Sequence, residues 1–160
     1  MNQPTSCCFT GHRHISSEET KDPQAILTKT LIDLIHQGVH TFYAGGALGF
    51  DTMAELIVLK LRKKYKHIRL VLLLSCRDQS KGWPQSDQNL YDHILKKANE
   101  IVYISEHYYS GCMQARNRAL VDHSDICVCY LTKPAGGTAY TVRYAKQKGL
   151  PVINLAEQNE

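Results

Sequence analysis

Two glycine turns in the sequence are suited to binding an anion. Gly45 and Gly46 lie between an apolar run and a helical pattern, and Gly136-Gly137-Thr138 repeats this arrangement near the other end of the chain. Glycine adopts positive φ values and lets a ligand come close to the backbone. The free N–H groups and the positive dipole end of the following helix then favour a phosphate. The two turns together predict one pocket for a nucleotide-like, phosphate-bearing ligand.

Side chains beside the other turns are candidates to complete this pocket. Gly11, His12 and Arg13 follow the first predicted strand, where the arginine offers a fork of donors that suits phosphate and the histidine can donate, accept or titrate. An exposed arginine in a solvated loop is the alternative. Asp51 follows the first glycine turn, and its carboxylate would repel an adjacent phosphate. It therefore either caps the helix or accepts a hydrogen bond from a ribose hydroxyl.

Further candidates lie in the second half of the chain. Trp83, the only tryptophan, either covers a base or pins a long loop to the body of the protein. Asn117 falls in the middle of the apolar face of a predicted helix, and Arg116 and Arg118 flank that face on opposite edges. Because both arginines cannot reach one point, Arg116 is the better candidate for the pocket. A surface pair, for instance with Asp122, would account for Arg118.

Hydrophobic periodicity predicts the elements that hold these residues. Strands are expected near 6–10, 39–44, 68–74, 101–104, 126–131 and 152–155, and helices near 23–37, 49–65, 90–98, 110–123 and 137–148. Six strands that alternate with five helices imply βαβ units with right-handed crossovers. The expected fold is α/β and Rossmann-like: a doubly wound, mainly parallel six-stranded sheet with helices on both faces. In such sheets ligands bind outside the carboxyl ends of the strands, where the glycine turns lie.

Composition limits the class of protein. A length of 160 residues fits a single domain over 1–160 with a substantial core. The net charge of +4 suits an anionic ligand but is lower than the charge expected of a dedicated nucleic-acid binder. The basic run 60–69 resembles the solvated end of a helix. No apolar run reaches the roughly 18 residues of a membrane span, and the N-terminus does not resemble a signal peptide. A cytoplasmic protein with no membrane partner is expected.

The six cysteines are expected to be reduced thiols rather than disulfides or metal ligands. Cys7 and Cys8 are adjacent, so they face opposite sides of a strand, whereas Cys127 and Cys129 share one face. Small buried apolar side chains explain all four. Because the chain has neither Cys-X-X-Cys nor histidines at matching intervals, no metal site is predicted.

Several motifs, taken together and in order, resemble the YpsA-like family of uncharacterised bacterial proteins. The resemblance covers nearly the whole chain and rests on Thr10-Gly11-His12-Arg13, Gly45-Gly46-Ala47 with Gly49-Phe50-Asp51, Trp83 with Tyr91, Arg116-Asn117-Arg118 with Val121-Asp122, and Gly136-Gly137-Thr138-Ala139-Tyr140-Thr141. That family belongs to the SLOG superfamily, which shares a Rossmann-like fold with DprA and the LOG phosphoribohydrolases. The resemblance implies binding or sensing of nucleotides or nucleotide-derived ligands, sometimes with cleavage of an N-glycosidic bond.

One departure from the LOG signature bears on catalysis. LOG enzymes carry Pro-Gly-Gly-X-Gly-Thr-X-X-Glu with a catalytic glutamate, whereas here Thr138 is followed by Ala139, Tyr140, Thr141 and Val142, with no acid in that turn. A glycosidase needs a carboxylate, and Asp51 is the remaining acid near a glycine turn. A binding protein without a cofactor is therefore favoured over an N-glycosidase that uses Asp51. A DprA-like single-stranded nucleic-acid module based on run 60–69 is a further alternative, and a homo-oligomer stays open.

Overall fold

Six parallel strands form the centre of the molecule. The computed structural model describes residues 3–16, 18 and 20–157. The strands are β1 (Ser6–Gly11), β2 (Thr41–Ala44), β3 (Arg69–Cys76), β4 (Glu100–Ser105), β5 (Ile126–Tyr130) and β6 (Val152–Asn154). The helices are α1 (Pro23–His36), α2 (Phe50–Arg62), α3 (Gln85–Lys97), α4 (Cys112–Asp122) and α5 (Gly137–Gln147), followed by a 3-10 turn, Leu155–Glu157. The predicted α/β alternation is confirmed.

The strand order locates the edge at which a ligand would bind. The sheet runs β4-β3-β2-β1-β5-β6, and each neighbouring pair is parallel. The chain moves outward from β1 to β4 and then returns through α4 to β5, on the other side of β1. The winding direction therefore changes between β1 and β5. The crevice outside the carboxyl ends of these two strands is the expected binding site in a doubly wound sheet.

Each face of the sheet has its own apolar core. One core joins β-strand side chains to α1, α2 and α3, and the other joins the opposite side chains to α4 and α5. In β3, Leu72 belongs to the first core and Leu73 to the second, because successive side chains point to opposite faces. Cys7 and Cys8 divide between the two cores in the predicted way. A strand that is covered on both faces reads as a continuous apolar run, which is why the sequence indicates β3 so clearly.

The helix boundaries agree with the sequence signals at α1 and differ at α3. The Asp22 side chain accepts a hydrogen bond from the Ala25 N–H at 3.1 Å, and proline follows as the first helical residue. The sequence predicts that α3 begins near Leu90, but the helix starts at Gln85. Its first turn is polar and largely exposed, so it carries no apolar periodicity that would mark it as helical.

Candidate functional site

A cavity of about 430 Å³ opens at the carboxyl edge, beside the ends of β1 and β5. It is lined by the end of β1, the loop into α2, the first two turns of α4 and the start of α5. These segments contribute Phe9, Thr10, Gly11, Ala47, Asp51, Met113, Gln114, Arg116, Asn117, Leu120, Gly136, Gly137, Thr138 and Tyr140. We call this the edge cavity.

Seven of the twelve residues predicted for a ligand site line the edge cavity. They are Gly11, Asp51, Arg116, Asn117, Gly136, Gly137 and Thr138. The other five, which are His12, Arg13, Gly45, Gly46 and Trp83, do not line it. The expected convergence of the loops after β1, β2 and β5 is therefore present, although each loop contributes fewer residues than predicted. The ligand-binding role of all twelve remains a prediction.

The second glycine turn forms the start of α5 and opens onto the edge cavity. Gly136 is the N-cap residue with φ +106°, a conformation that favours glycine. Among the described residues no side chain caps this helix start. The first N–H groups of an α-helix have no partner within the helix, and they lie at the positive end of its dipole. This turn therefore retains the anion-binding character that the sequence predicted for it.

The first glycine turn differs from the expectation. The Gly46 N–H donates to the Glu55 carboxyl at 3.0 Å, and the Ala47 N–H donates to the Asp51 carboxyl at 3.3 Å. Both acids come from α2, which follows the turn directly and folds their side chains back onto it. Two amides expected to face a ligand thus already bind carboxyl groups of the chain itself. The turn is better described as a structural support for the edge cavity.

Arg116 fastens the first glycine turn to α4. It is 5% exposed, and it donates one hydrogen bond to the Gly45 carbonyl oxygen and another to the Asn117 side chain at 2.8 Å. A side chain added at Gly45 would lie 2.9 Å from the arginine, so this contact requires a glycine. The guanidinium also interacts electrostatically with the carboxyls of Asp51 and Glu55. Arg116 therefore carries the compensating charge for two buried acids.

The pKa of each of the two acids is raised. Burial raises the pKa of Asp51 to about 6, against the opposing effects of the Arg116 charge and of backbone N–H groups. Burial, and then the negative charge of Asp51, raises the pKa of Glu55 well above its ordinary value. Near neutral pH, Asp51 is therefore ionised beside Arg116. One carboxyl oxygen of Asp51, Oδ1, is buried without a hydrogen-bond partner among the described residues.

Replacing Asp51 with asparagine should remove a pH-dependent loss of stability. Because the folded pKa lies above the unfolded one, the free energy of unfolding falls as pH rises from about 4 to about 6, by about 3 kcal/mol, and then stays level. The substituted amide would still accept from the Ala47 N–H but carry no charge. We expect Asp51→Asn to match the wild type near pH 4 and to exceed it at pH 8, as measured by urea unfolding.

A second aspartate provides a control of opposite sign. Hydrogen bonds from the Thr5 and Ser6 backbone and side chains lower the pKa of Asp125. The stability that Asp125 contributes is therefore present above its unfolded pKa and is lost as pH falls through the lower, folded value. We expect Asp125→Asn to destabilise at pH 8. If Asp51→Asn also destabilised the protein at pH 8, the assignment of a raised pKa to Asp51 would be contradicted.

Arg13 and Trp83 belong to neighbouring cavities rather than to the edge cavity. Both line a cavity of about 480 Å³ that shares Ala47 and Met113 with it. Trp83 also packs edge-on against Tyr91, with ring centroids 5.2 Å apart. The indole therefore holds the long loop against α3 while one side borders the adjoining cavity, so both of its predicted uses stay compatible with its position.

His12 joins the loops that follow β1 and β5. Its Nε2 accepts a hydrogen bond from the Thr132 N–H at 2.9 Å. This contact fixes the tautomer with the other nitrogen as donor. The histidine thus helps to hold together the loops after β1 and β5, the two strands between which the winding direction of the sheet changes.

Sequence reasoning missed several residues of the site. Glu55 had a usable signal, because it lies four residues after Asp51 and so on the same side of α2. Gln79 had none, since it lies in an irregular segment, yet it donates to the Gly45 carbonyl oxygen at 3.0 Å. Tyr140 accepts from Arg118 at 2.9 Å, whereas Asp122 accepts from Tyr144. The anticipated Arg118–Asp122 pair is therefore replaced by contacts between α4 and α5.

The parallel sheet, its strand order and the cavity at its carboxyl edge define a Rossmann-like α/β protein. The sequence profile of the YspA SLOG family matches residues 7–152. The chain therefore belongs to this family.

Two curated relatives and one solved structure illustrate the similarity. The UPF0398 protein BH1768 of Halalkalibacterium halodurans is 31% identical over 140 residues, covering 86% of this chain and 71% of that protein. The uncharacterized SPbeta prophage-derived protein YoqJ of Bacillus subtilis is 30% identical over 120 residues, covering 68% and 70%. DNA processing protein A from Helicobacter pylori has a similar fold, with a TM-score of 0.67 at 21% identity, and the match covers 94% of this chain but 64% of that one.

None of the helices in the described part of the chain combines the length and apolar character that crossing a membrane requires.

Proposed function

We propose that the protein binds a nucleotide or nucleotide-derived ligand in the edge cavity, with a phosphate at the start of α5. The observation that carries this proposal is that the uncapped helix start at Gly136, Gly137 and Thr138 lines the same cavity as Asp51 and Arg116. A helix N-terminus attracts phosphate, and the nearby polar side chains offer further hydrogen bonds.

The charges within the cavity support one orientation of the ligand. A phosphate is favoured beside α5, whereas the ionised Asp51 would repel it from the first glycine turn. Asp51 is instead suited to accept from a sugar hydroxyl. Arg116 adds little net positive charge for the ligand, because the Asp51 carboxylate compensates it. Arg116 therefore acts mainly by holding the cavity wall in this proposal, rather than by binding phosphate as the sequence suggested.

Calorimetry with a panel of nucleoside mono-, di- and triphosphates would test the proposal, with Gly137→Ala as the decisive variant. Gly137 has an ordinary φ, and its added methyl group would meet only the Asn117 amide, at 3.9 Å, in the space that a ligand would occupy. We expect binding to weaken at least about tenfold, as a lost charge-assisted contact would give. The melting temperature should stay equal or rise, because alanine is favoured over glycine within a helix.

Arg13→Ala is the matched comparison, since Arg13 lies outside the edge cavity. A ligand confined to the edge cavity should bind this variant nearly as well as the wild type. If no nucleotide binds, or if Gly137→Ala binds every nucleotide with unchanged affinity, the proposal fails.

A nucleotide N-glycosidase is the second candidate function. The specific observation in its favour is that Asp51, a carboxylate with a pKa of about 6, lines the cavity in which the ligand would lie. Such a group can stabilise a cationic sugar or activate water. Chromatography of nucleoside monophosphates after incubation would detect released base. An enzyme that works in this way would lose that release in Asp51→Asn, whereas a pure binding protein would release no base before or after the substitution.

Binding of single-stranded nucleic acid has weaker support. The Helicobacter pylori neighbour binds single-stranded DNA, and the basic run 60–69 of this chain extends from the last turn of α2 to the first residue of β3. The described residues that line the groove beside Lys60 and Lys63 include no phenylalanine, tyrosine or tryptophan on which bases would stack. Retention of oligothymidine at low salt, lost steeply as salt rises, would revive this alternative.

A further inference from the structure

A long groove lies between α2 and α3, on the face of the sheet that bears α1, α2 and α3. It consists of two cavities that share Leu56: one of about 440 Å³ near the carboxyl edge and one of about 590 Å³ beside the later turns of the two helices. None of the residues that line these cavities lines the edge cavity. We call the whole feature the α2–α3 groove, and its parts the upper and the lower half.

Six apolar side chains line the upper half. Its apolar side chains are Leu48, Met53, Leu56, Trp83, Leu90 and Ile94. Leu56 is 37% exposed and is thus one of the few large apolar side chains on the described surface. Glu55 also reaches this half, but it is only 2% exposed and its carboxyl accepts a hydrogen bond from the Gly46 N–H. Arg13, His14 and Asp87 supply the charged and titratable groups around the apolar surface.

The lower half is cationic. It is lined by Lys60, Arg62, Lys63, His93 and Lys97, and no acidic residue is among the described residues that line it. Arg62 donates to the Asn99 side chain at 2.6 Å. In the described part of the chain none of the three lysines forms an ion pair. Cations at the ends of helices complement the helix dipoles. This effect does not explain why these cations lie next to an exposed apolar side chain, Leu56.

We infer that the α2–α3 groove binds a single-chain amphiphile with an anionic head, whose chain lies on the apolar upper half and whose carboxylate or phosphate meets the lysines of the lower half. Charge complementarity selects an anion, and the exposed apolar surface selects a chain over a bare ion. A polynucleotide fits less well, because no phenylalanine, tyrosine or tryptophan is among the described residues that line the cationic half. This inference does not depend on the nucleotide site.

Dodecyl phosphate, used below its micelle concentration, is a suitable probe. Trp83 is the only tryptophan in the chain and lines both the upper half and the cavity of about 480 Å³, so a change in its emission reports a ligand in one of these two cavities. We expect saturable binding with a shift of the emission to shorter wavelength. The dissociation constant measured by calorimetry should be at least about tenfold lower than for inorganic phosphate or for dodecyl maltoside, since each of these lacks one of the two contacts.

Charge-removing variants locate the head group. The double variant Lys60→Gln with Lys97→Gln should weaken dodecyl phosphate binding at least about fivefold. The matched control, Arg143→Gln with Lys146→Gln, removes two exposed cations from α5 on the opposite face and should leave it unchanged. All four side chains are exposed, so folding should be preserved, which circular dichroism would verify.

Three results would overturn the inference. The first is no saturable binding of dodecyl phosphate. The second is equally tight binding of inorganic phosphate, which would mean that the groove binds an ion and that the alkyl chain adds nothing to binding. The third is oligothymidine that binds more tightly than dodecyl phosphate and is lost in the Lys60 and Lys97 variant, which would make the groove a nucleic-acid surface.

Discussion

Replacing Arg116 with methionine is expected to lower the free energy of unfolding by about 3 to 5 kcal/mol at pH 8. Arg116 is 5% exposed, and it provides the positive charge beside the buried carboxyls of Asp51 and Glu55. Methionine fills much of the volume but leaves a buried carboxylate without a counter-charge. It also removes one of the two donors to the Gly45 carbonyl oxygen, the other being the Gln79 amide.

The loss should depend on pH. Below pH 6, Asp51 becomes protonated, so the missing counter-charge matters less. Urea unfolding of Arg116→Met at pH 5 and pH 8 should therefore give a smaller deficit at pH 5. The deficit that persists at the lower pH measures the lost hydrogen bonds and packing.

Arg118→Met is the matched control, because it removes the same side chain two residues further along α4. Arg118 is exposed and donates to the Tyr140 hydroxyl, so its loss should cost much less than the loss of Arg116 at pH 8 and should not change with pH. Equal losses for the two variants, or an Arg116→Met deficit that is constant with pH, would contradict the assigned role of Arg116.

The fold was predictable because its signals are local. Each apolar strand and each amphipathic helix can be recognised from a short stretch of sequence. A buried parallel strand such as β3 appears as an uninterrupted apolar run. The start of α5 was predictable for the same reason, since Gly136 directly precedes the helix and Gly137 and Thr138 are its first two residues. Missing signals have equally local causes, as in the polar first turn of α3.

The difference in role between the two glycine turns was not predictable. It depends on Arg116 reaching the Gly45 carbonyl oxygen across 71 positions of sequence, and on Glu55 turning back to the Gly46 amide. Spacing alone assigns the same anion-binding character to both turns. Only the three-dimensional arrangement distinguishes a turn filled by the protein's own carboxyls from one that opens onto the cavity.

A similar limit applies to Arg13 and Trp83. The sequence indicated that both lie after strands of one sheet, and therefore at its carboxyl edge. It carried no information on which of several adjoining cavities each side chain borders. That outcome depends on how the long loop between β3 and α3 packs, and Trp83 contacts Tyr91 there.

Gly49→Ala is expected to destabilise the protein by at least about 3 kcal/mol, through backbone strain together with overpacking. Gly49 precedes α2 with φ +84°, and a side-chain carbon at this position would overlap the carbonyl group of Arg13. The same approach of the two loops allows the Phe50 N–H to donate to the His12 carbonyl oxygen at 3.1 Å. The substitution therefore separates the loops after β1 and β2, which together wall the edge cavity.

Gly149→Ala separates the two causes of that loss. Gly149 has φ +82°, close to the value at Gly49, but an added side-chain carbon would have no neighbour within 4 Å. This control should cost only the backbone term, about 1 to 2 kcal/mol. Thermal and urea unfolding of both variants would give the excess cost at Gly49, which contains the steric overlap together with any further strain from its ψ of −118°. Equal costs would mean that the loops after β1 and β2 can move apart freely, and the edge cavity would then lack the rigid wall that ligand binding requires.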